Sequence, residues 1–133
     1  MKSIEALLQD VESTDPGIRH VAALELMDLS DERALPALWD AIKRPENVNH
    51  RGTLVYALSA FDQSEHLESL VTLVLTGNFE VSWGAFSILE DSTRFPESLD
   101  RIRAQLAQHP IESLTQAHHP EALEALLELL QRE

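Results

Sequence analysis

The sequence predicts an all-α fold, a short right-handed α-solenoid of about four antiparallel helix pairs and roughly nine helices. Three observations predict it. Apolar residues recur at i, i+3, i+4 and i+7 in short segments joined by connections of about two to five residues. Those segments repeat with a period of about 32 residues. The composition, 44% hydrophobic and 25% charged, is that of a chain that packs a core. At 133 residues the whole chain, 1–133, reads as a single repeat domain.

The elements follow in order. Residues 3–12 place Ile4, Leu7, Leu8 and Val11 on one helix face. Asp15-Pro16 supplies an N-cap and a first-turn proline for a helix that carries Ile18, Ala22, Leu26 and Leu29 on one side. Ser30-Asp31 breaks it, and Leu35, Leu38 and Ile42 form the next stripe as far as Arg44-Pro45. A helix over 47–61 carries Leu54, Val55, Leu58 and Phe61, and one over 64–76 carries Leu67, Leu70, Val71 and Val74. The run Val71-Thr72-Leu73-Val74-Leu75 by itself reads as a buried strand, but it continues a helical spacing between helices and is assigned as helix. Thr76-Gly77-Asn78 is a stop followed by a new N-cap, opening a helix over 79–90 with Val81, Ala85, Ile88 and Leu89. Phe95-Pro96 opens another with Leu99, Ile102 and Leu106. Pro110 to Ala117 has room for two helical turns, and Pro120 opens a last helix with Leu123, Leu126, Leu127 and Leu130.

Sliding the chain along itself by about 32 residues brings Arg19 onto Arg51, Ala22 onto Leu54, Leu26 onto Leu58, Leu38 onto Leu70 and Ile42 onto Val74. A further shift of the same length brings Leu67 onto Leu99 and Val74 onto Leu106. The repeat units are 15–44, 46–76 and 78–108, preceded by a half-repeat at 3–13 and followed by a degenerate unit at 110–131.

Residues 15–42, DPGIRHVAALELMDLSDERALPALWDAI, carry an Asp-Pro start, an Ile-Arg pair, two small residues, a Leu, and a turn into Ala-Leu-Pro-Ala-Leu. This pattern resembles the HEAT repeat of the short bacterial kind found in phycobilin lyase subunits. The third unit departs from it, with Ser82 where the Arg falls, and Met27 stands where that pattern has Gly. The resemblance implies a HEAT-like solenoid whose second helices line a concave face. It speaks to fold rather than function.

Charge narrows the function. With 23 acidic residues against 10 basic ones the net charge is −13, which argues against binding nucleic acid or an anionic membrane. There is no cysteine, hence no disulfide and no thiolate chemistry, and the expected compartment is the cytoplasm. No segment is long and apolar enough to span a membrane. His20, His50, His66, His109, His118 and His119 make no HExxH or other i, i+4 ligand pair, so they read as solvated loop histidines and no metal or cofactor is expected. No GxSxG and no Gly-rich phosphate loop is present, and no catalytic residue is assigned.

What remains is surface. From Pro45 to Thr93 the only Lys or Arg is Arg51, against Glu46, Asp62, Glu65, Glu68, Glu80, Glu90 and Asp91. On a wheel at about 100° per residue, Glu65, Glu68 and Thr72 point away from the Leu67-Leu70-Val71-Val74 stripe. Asp40 in the preceding second helix, and Glu97 and Asp100 in the following one, match them, so together they form an acidic ladder on the expected concave face. Trp83 lies off the core stripe with Phe79 in the turn before it; it is either an interface anchor or packs against the next repeat. Trp39 reads as core. Glu25, aligned with apolar counterparts, either pairs with an arginine such as Arg51 or is partly exposed at the end of the stack. The expected function is a non-catalytic interaction module that binds a basic protein partner, in its sharper form an inhibitor or immunity protein masking a toxin or nuclease. The alternative, implied by the resemblance alone, is a lyase-type subunit acting on a bound chromophore or modified protein.

Overall fold

The computed structural model describes residues 2–48, 50–92, 96–109 and 120–131. Among them every regular element is helical: α1 (Ile4–Asp10), α2 (Pro16–Leu29), α3 (Ala34–Lys43), α4 (Gly52–Ala57), α5 (Leu67–Thr76), α6 (Phe79–Ser92), α7 (Pro96–Ala107) and α8 (Pro120–Gln131). Two short 3-10 turns, Pro45–Asn47 and Leu58–Ala60, flank α4. The chain divides into two compact units, Met1–Asp62 and Gln63–Glu133, with the division falling inside the segment assigned by sequence to one repeat unit. The turns expected over 110–117, together with His118 and His119, lie outside the described residues.

In the first unit α2 is the central element, packing against α1, α3 and α4. Its start is set by Asp15, whose carboxylate accepts from the N–H of Gly17 at 2.8 Å and of Ile18 at 3.4 Å, with Pro16 at the first helical position. It ends at Ser30 in the left-handed region (φ 51°), where the Ser30 hydroxyl donates to the Met27 carbonyl. The buried arc of α2 is Arg19, Ala22, Ala23 and Leu26, whereas Ile18 and Leu29, expected in the core, are 46% and 39% exposed. The two residues lie on the flank of that arc, because the helix turns its Arg19–Ala23 side inward. Arg19 is 1% exposed and its Nη1 donates to the Ser13 carbonyl at 2.9 Å, closing the loop that leaves α1. Trp39 is buried as expected, with the Lys43 ammonium 5.8 Å from its ring centre.

The helix expected over 47–61 is broken. Asn47, only 3% exposed, donates its side-chain amide to the Ala41 carbonyl at 2.8 Å, satisfying the C-terminal end of α3. With Asn47 committed there, the chain turns through His50 and helix resumes only at Gly52, finishing in a 3-10 turn. A side-chain bond across a turn overrides the apolar spacing that suggested one continuous helix.

In the second unit α5 is the hub, packing against α6, α7 and α8. Leu67, Leu70, Val71, Leu73, Val74 and Leu75 are all buried, so α5 is apolar nearly all round, as a helix enclosed by neighbours requires. That enclosure explains why its core read equally well as a strand. Gly77 ends α5, and Asn78 caps α6 by accepting from the Val81 N–H at 3.0 Å. Ser82, buried, donates to the Val74 carbonyl at 2.7 Å and so ties α6 to α5. On α8, Leu123, Leu126 and Leu130 are buried as expected, but Leu127 is 39% exposed and Leu129 takes its place in the core. The buried arc of α8 is turned towards Ala122 and Leu129 by roughly 60°.

Two stability predictions follow from the tightest sites. A Cβ on Gly77 would lie 2.4 Å from Val81 Cγ1 and 2.8 Å from the Leu73 carbonyl oxygen. Gly77→Ala is therefore expected to destabilise by about 1–3 kcal/mol in urea unfolding, despite the higher helix propensity of alanine. Arg19→Ala is expected to cost about 2–4 kcal/mol by leaving both a cavity and an unpaired Ser13 carbonyl, with Arg19→Met, which keeps the apolar stem, costing less. Equal losses for the two Arg19 variants would show that the hydrogen bond alone matters.

Candidate functional site

Of the residues singled out from sequence, Asp40 belongs to the first compact unit, where it is exposed on α3. The other seven belong to the second. Glu65 is exposed in the turn before α5, Glu68 is half-buried in its first turn, and Thr72 is exposed one turn on, donating its hydroxyl to the Glu68 carbonyl at 3.2 Å. Glu97 and Asp100 are exposed on α7, which packs against α5. The Glu65-Glu68-Thr72 and Glu97-Asp100 groups thus sit on neighbouring helices of one unit.

The feature missed by sequence reading is Arg101. Its guanidinium reaches from α7 to α5 and grips the Glu68 carboxylate with two nitrogens, Nη2 to Oε2 at 3.0 Å and Nε to Oε1 at 3.3 Å, while Nη1 donates to the Ser64 carbonyl. Glu68 is therefore engaged, and the carboxylates of the face without an ion pair among the described residues are Glu65 and Glu97. Asp100 lies 3.5 Å from Arg103, which also donates to the Leu130 carbonyl at the end of α8. The signal in the sequence was the Arg101-Ile102-Arg103 triplet, which stands just beyond the base-poor window ending at Thr93.

Phe79 is 63% exposed at the start of α6, and Trp83 is half-buried. Trp83 meets Phe86 edge-on, with ring centres 5.6 Å apart and planes at 87°. With Phe79 they make an aromatic i, i+4, i+7 row along α6, in which Phe86 had not been singled out. Trp83 is thus neither a fully solvated anchor nor a core residue.

The histidines divide by setting. His20 lies within α2, not in a loop, with its Nε2 3.2 Å from the His50 carbonyl oxygen, and His50 is exposed. Among the described residues no group of three or more His, Cys, Asp or Glu side chains converges as a metal would require. Among the same residues no helix is long and apolar enough to cross a membrane. Glu25 is half-buried in a cleft that it shares with Lys2, at the α1 side of α2.

Comparison with protein-family profiles, with curated proteins and with solved structures returns no match for this chain.

The electrostatics of the Glu68 pair give a test. A hydrogen bond from its own backbone N–H, together with the Arg101 guanidinium, holds the Glu68 carboxyl below its ordinary value. A lowered carboxyl stabilises the fold at neutral pH and loses that contribution as pH falls through its native value. Both side chains are more than two-fifths exposed, 41% for Arg101 and 45% for Glu68, so solvent screens the pair. Glu68→Gln is expected to lower unfolding free energy by less than about 1 kcal/mol at pH 7, the deficit shrinking below about pH 4. Urea titrations of both proteins across that range would read it, and a deficit that grows on acidification would contradict the assignment.

Proposed function

We propose that the chain is a non-catalytic protein–protein interaction module, a short HEAT-like solenoid that docks a basic protein partner on the acidic face of its second helices. The sharper form of the proposal is an inhibitor or immunity protein that occupies the cationic, nucleic-acid-binding cleft of a toxin or nuclease inside the cytoplasm.

One observation carries the proposal. Among the described residues of the second unit, Arg101 is engaged by Glu68 and the Ser64 carbonyl and Arg103 by the Leu130 carbonyl and Asp100, while Glu65 and Glu97 have no ion-pair partner. A face built this way keeps a negative field that steers and orients a basic partner. The packing supports the solenoid part of the reading. In the first unit α2 touches both α3 and α4, and in the second α5 touches both α6 and α7, so each contacts its next and next-but-one neighbours as stacked helix pairs do. The alignment of Arg19 with Arg51 in the sequence supports the repeat register, although Arg19 lies one turn inside α2 and Arg51 precedes α4.

The test is a pull-down with the tagged full chain at about 0.1 M and about 0.5 M salt, repeated with Glu97→Lys/Asp100→Lys. Both residues are exposed, so the variant should keep the wild-type melting temperature. A basic protein that is captured at low salt, released at high salt, and lost by the variant is the expected outcome. A captured partner that is indifferent to both salt and the double change would overturn the acidic-face reading.

A further inference from the structure

α2 carries a second apolar stripe that the fold does not cover. Ile18, Val21 and Leu29 are 46%, 57% and 39% exposed. Together with Glu25 they stand at i, i+3, i+7 and i+11, within about 80° of one another on the helix and along about 16 Å of its length. This is the reason that Ile18 and Leu29 left the core: α2 is apolar over more of its surface than its neighbours bury. Beside the stripe, between α1 and α2, lies an open cleft of about 500 Å³ floored by Leu7 and Ala22, with a second hollow of about 440 Å³ adjoining it towards Leu29. Its polar groups are almost all acidic. Asp10 and Asp15 stand at one end, Glu25 in the middle, and Asp28 at the other.

Among the described residues, the single cation lining these two hollows is Lys2. Its side chain is 58% exposed and its ammonium lies 2.5 Å from the Asp10 carboxylate, with Glu25 adding to the attraction. Lys2 shows the charge that the cleft favours: a positive tip at its rim, held by the Asp10 carboxylate.

We infer that the α1–α2 cleft is a docking groove for a basic amphipathic helical segment of another protein, whose apolar side chains cover Ile18, Val21 and Leu29 and whose lysine or arginine takes the place of Lys2. The chemistry selects this occupant over a second copy of the chain. A two-fold dimer on this face would set Asp10, Asp15, Glu25 and Asp28 against the same four carboxylates, on chains that each carry −13. A basic amphipathic helix satisfies both halves of the groove at once: i, i+3, i+4 anchors for the stripe and charge for its rim. The groove is built by residues of the first unit and the α5–α7 acidic face by residues of the second, so either assignment can fail without the other.

The experiment uses the full chain and a synthetic, end-capped peptide of about 18 residues, leucine on one helical face and lysine on the other, with a leucine–glutamate peptide of identical spacing as control. Binding is read by fluorescence anisotropy near physiological salt and mapped by amide NMR shifts. The Leu/Lys peptide is expected to bind and to shift signals of α1 and α2. Val21→Ser/Leu29→Ser, which leaves the charge unchanged at two exposed sites, should weaken binding by about tenfold or more. Lys2→Gln, which removes the internal competitor, should tighten it. Glu97→Gln/Asp100→Asn should leave it within about twofold, since those residues belong to the other face. Binding that ignores the Val21/Leu29 change, equal binding of the Leu/Glu peptide, shifts confined to α5 and α7, or a salt-resistant dimer of the chain that buries α2 would each overturn the inference.

Discussion

Helix ends are the constraint on which the rest of this molecule depends. Its described helices run from 6 to 14 residues, and every helix leaves four N–H and four C=O groups without internal partners. In helices this short, a large share of the backbone is end rather than middle. At α1, α2 and α6 N-terminal groups are met by Ser3, Asp15 and Asn78, the small acceptors that such positions favour, whereas α3, α4 and α5 have no side-chain cap. Carbonyls at helix ends and in the adjoining loops are met by longer donors: Asn47 on Ala41, Arg19 on Ser13, Arg44 on Glu12, Arg103 on Leu130. The connections can be tight because these side chains close them.

That solution shapes the surface. Basic residues are scarce, and several of them point their guanidinium groups at main-chain carbonyls inside their own unit. Three of them also stand within 4 Å of a carboxylate, Arg44 of Glu12, Arg101 of Glu68 and Arg103 of Asp100, so each offsets one acid and is fixed in place. The acidic character of the described surface rests on the carboxylates that these fixed cations do not reach, such as Glu65 and Glu97. Both the α5–α7 face and the α1–α2 cleft inherit it.

Local chemistry was legible in the sequence, and tertiary choice was not. Asp15-Pro16 and Thr76-Gly77-Asn78 announced helix boundaries because caps depend on residues within one turn. The Val71–Leu75 run resolved as helix once its neighbours were read as helices. The break within 47–61 stayed hidden because Asn47 bonds to a carbonyl six residues back, which spacing cannot reveal. Which flank of an over-apolar helix turns inward was equally out of reach: Ile18 and Leu29 against Arg19 and Ala23, Leu127 against Leu129. A fully buried arginine is a poor guess from any wheel. Of the acidic ladder, the exposure of Glu65, Glu97 and Asp100 was readable, whereas the Arg101 grip on Glu68 required knowing that α7 lies along α5. The cleft beside Lys2 was invisible for the same reason.

The contrast between α5 and α1 has a consequence for motion. Backbone amides of α5, ringed by α6, α7 and α8, can meet solvent only when the second unit opens as a whole, so their protection against hydrogen exchange measures that unit's global stability. α1 is seven residues long and packs chiefly against α2. Its amides are therefore expected to be less protected than those of α5, since its opening need not disturb the hold of α2 on α3 and α4. One wall of the α1–α2 cleft is thus a short helix held chiefly by the other wall, so the width of the cleft is expected to follow the opening of α1.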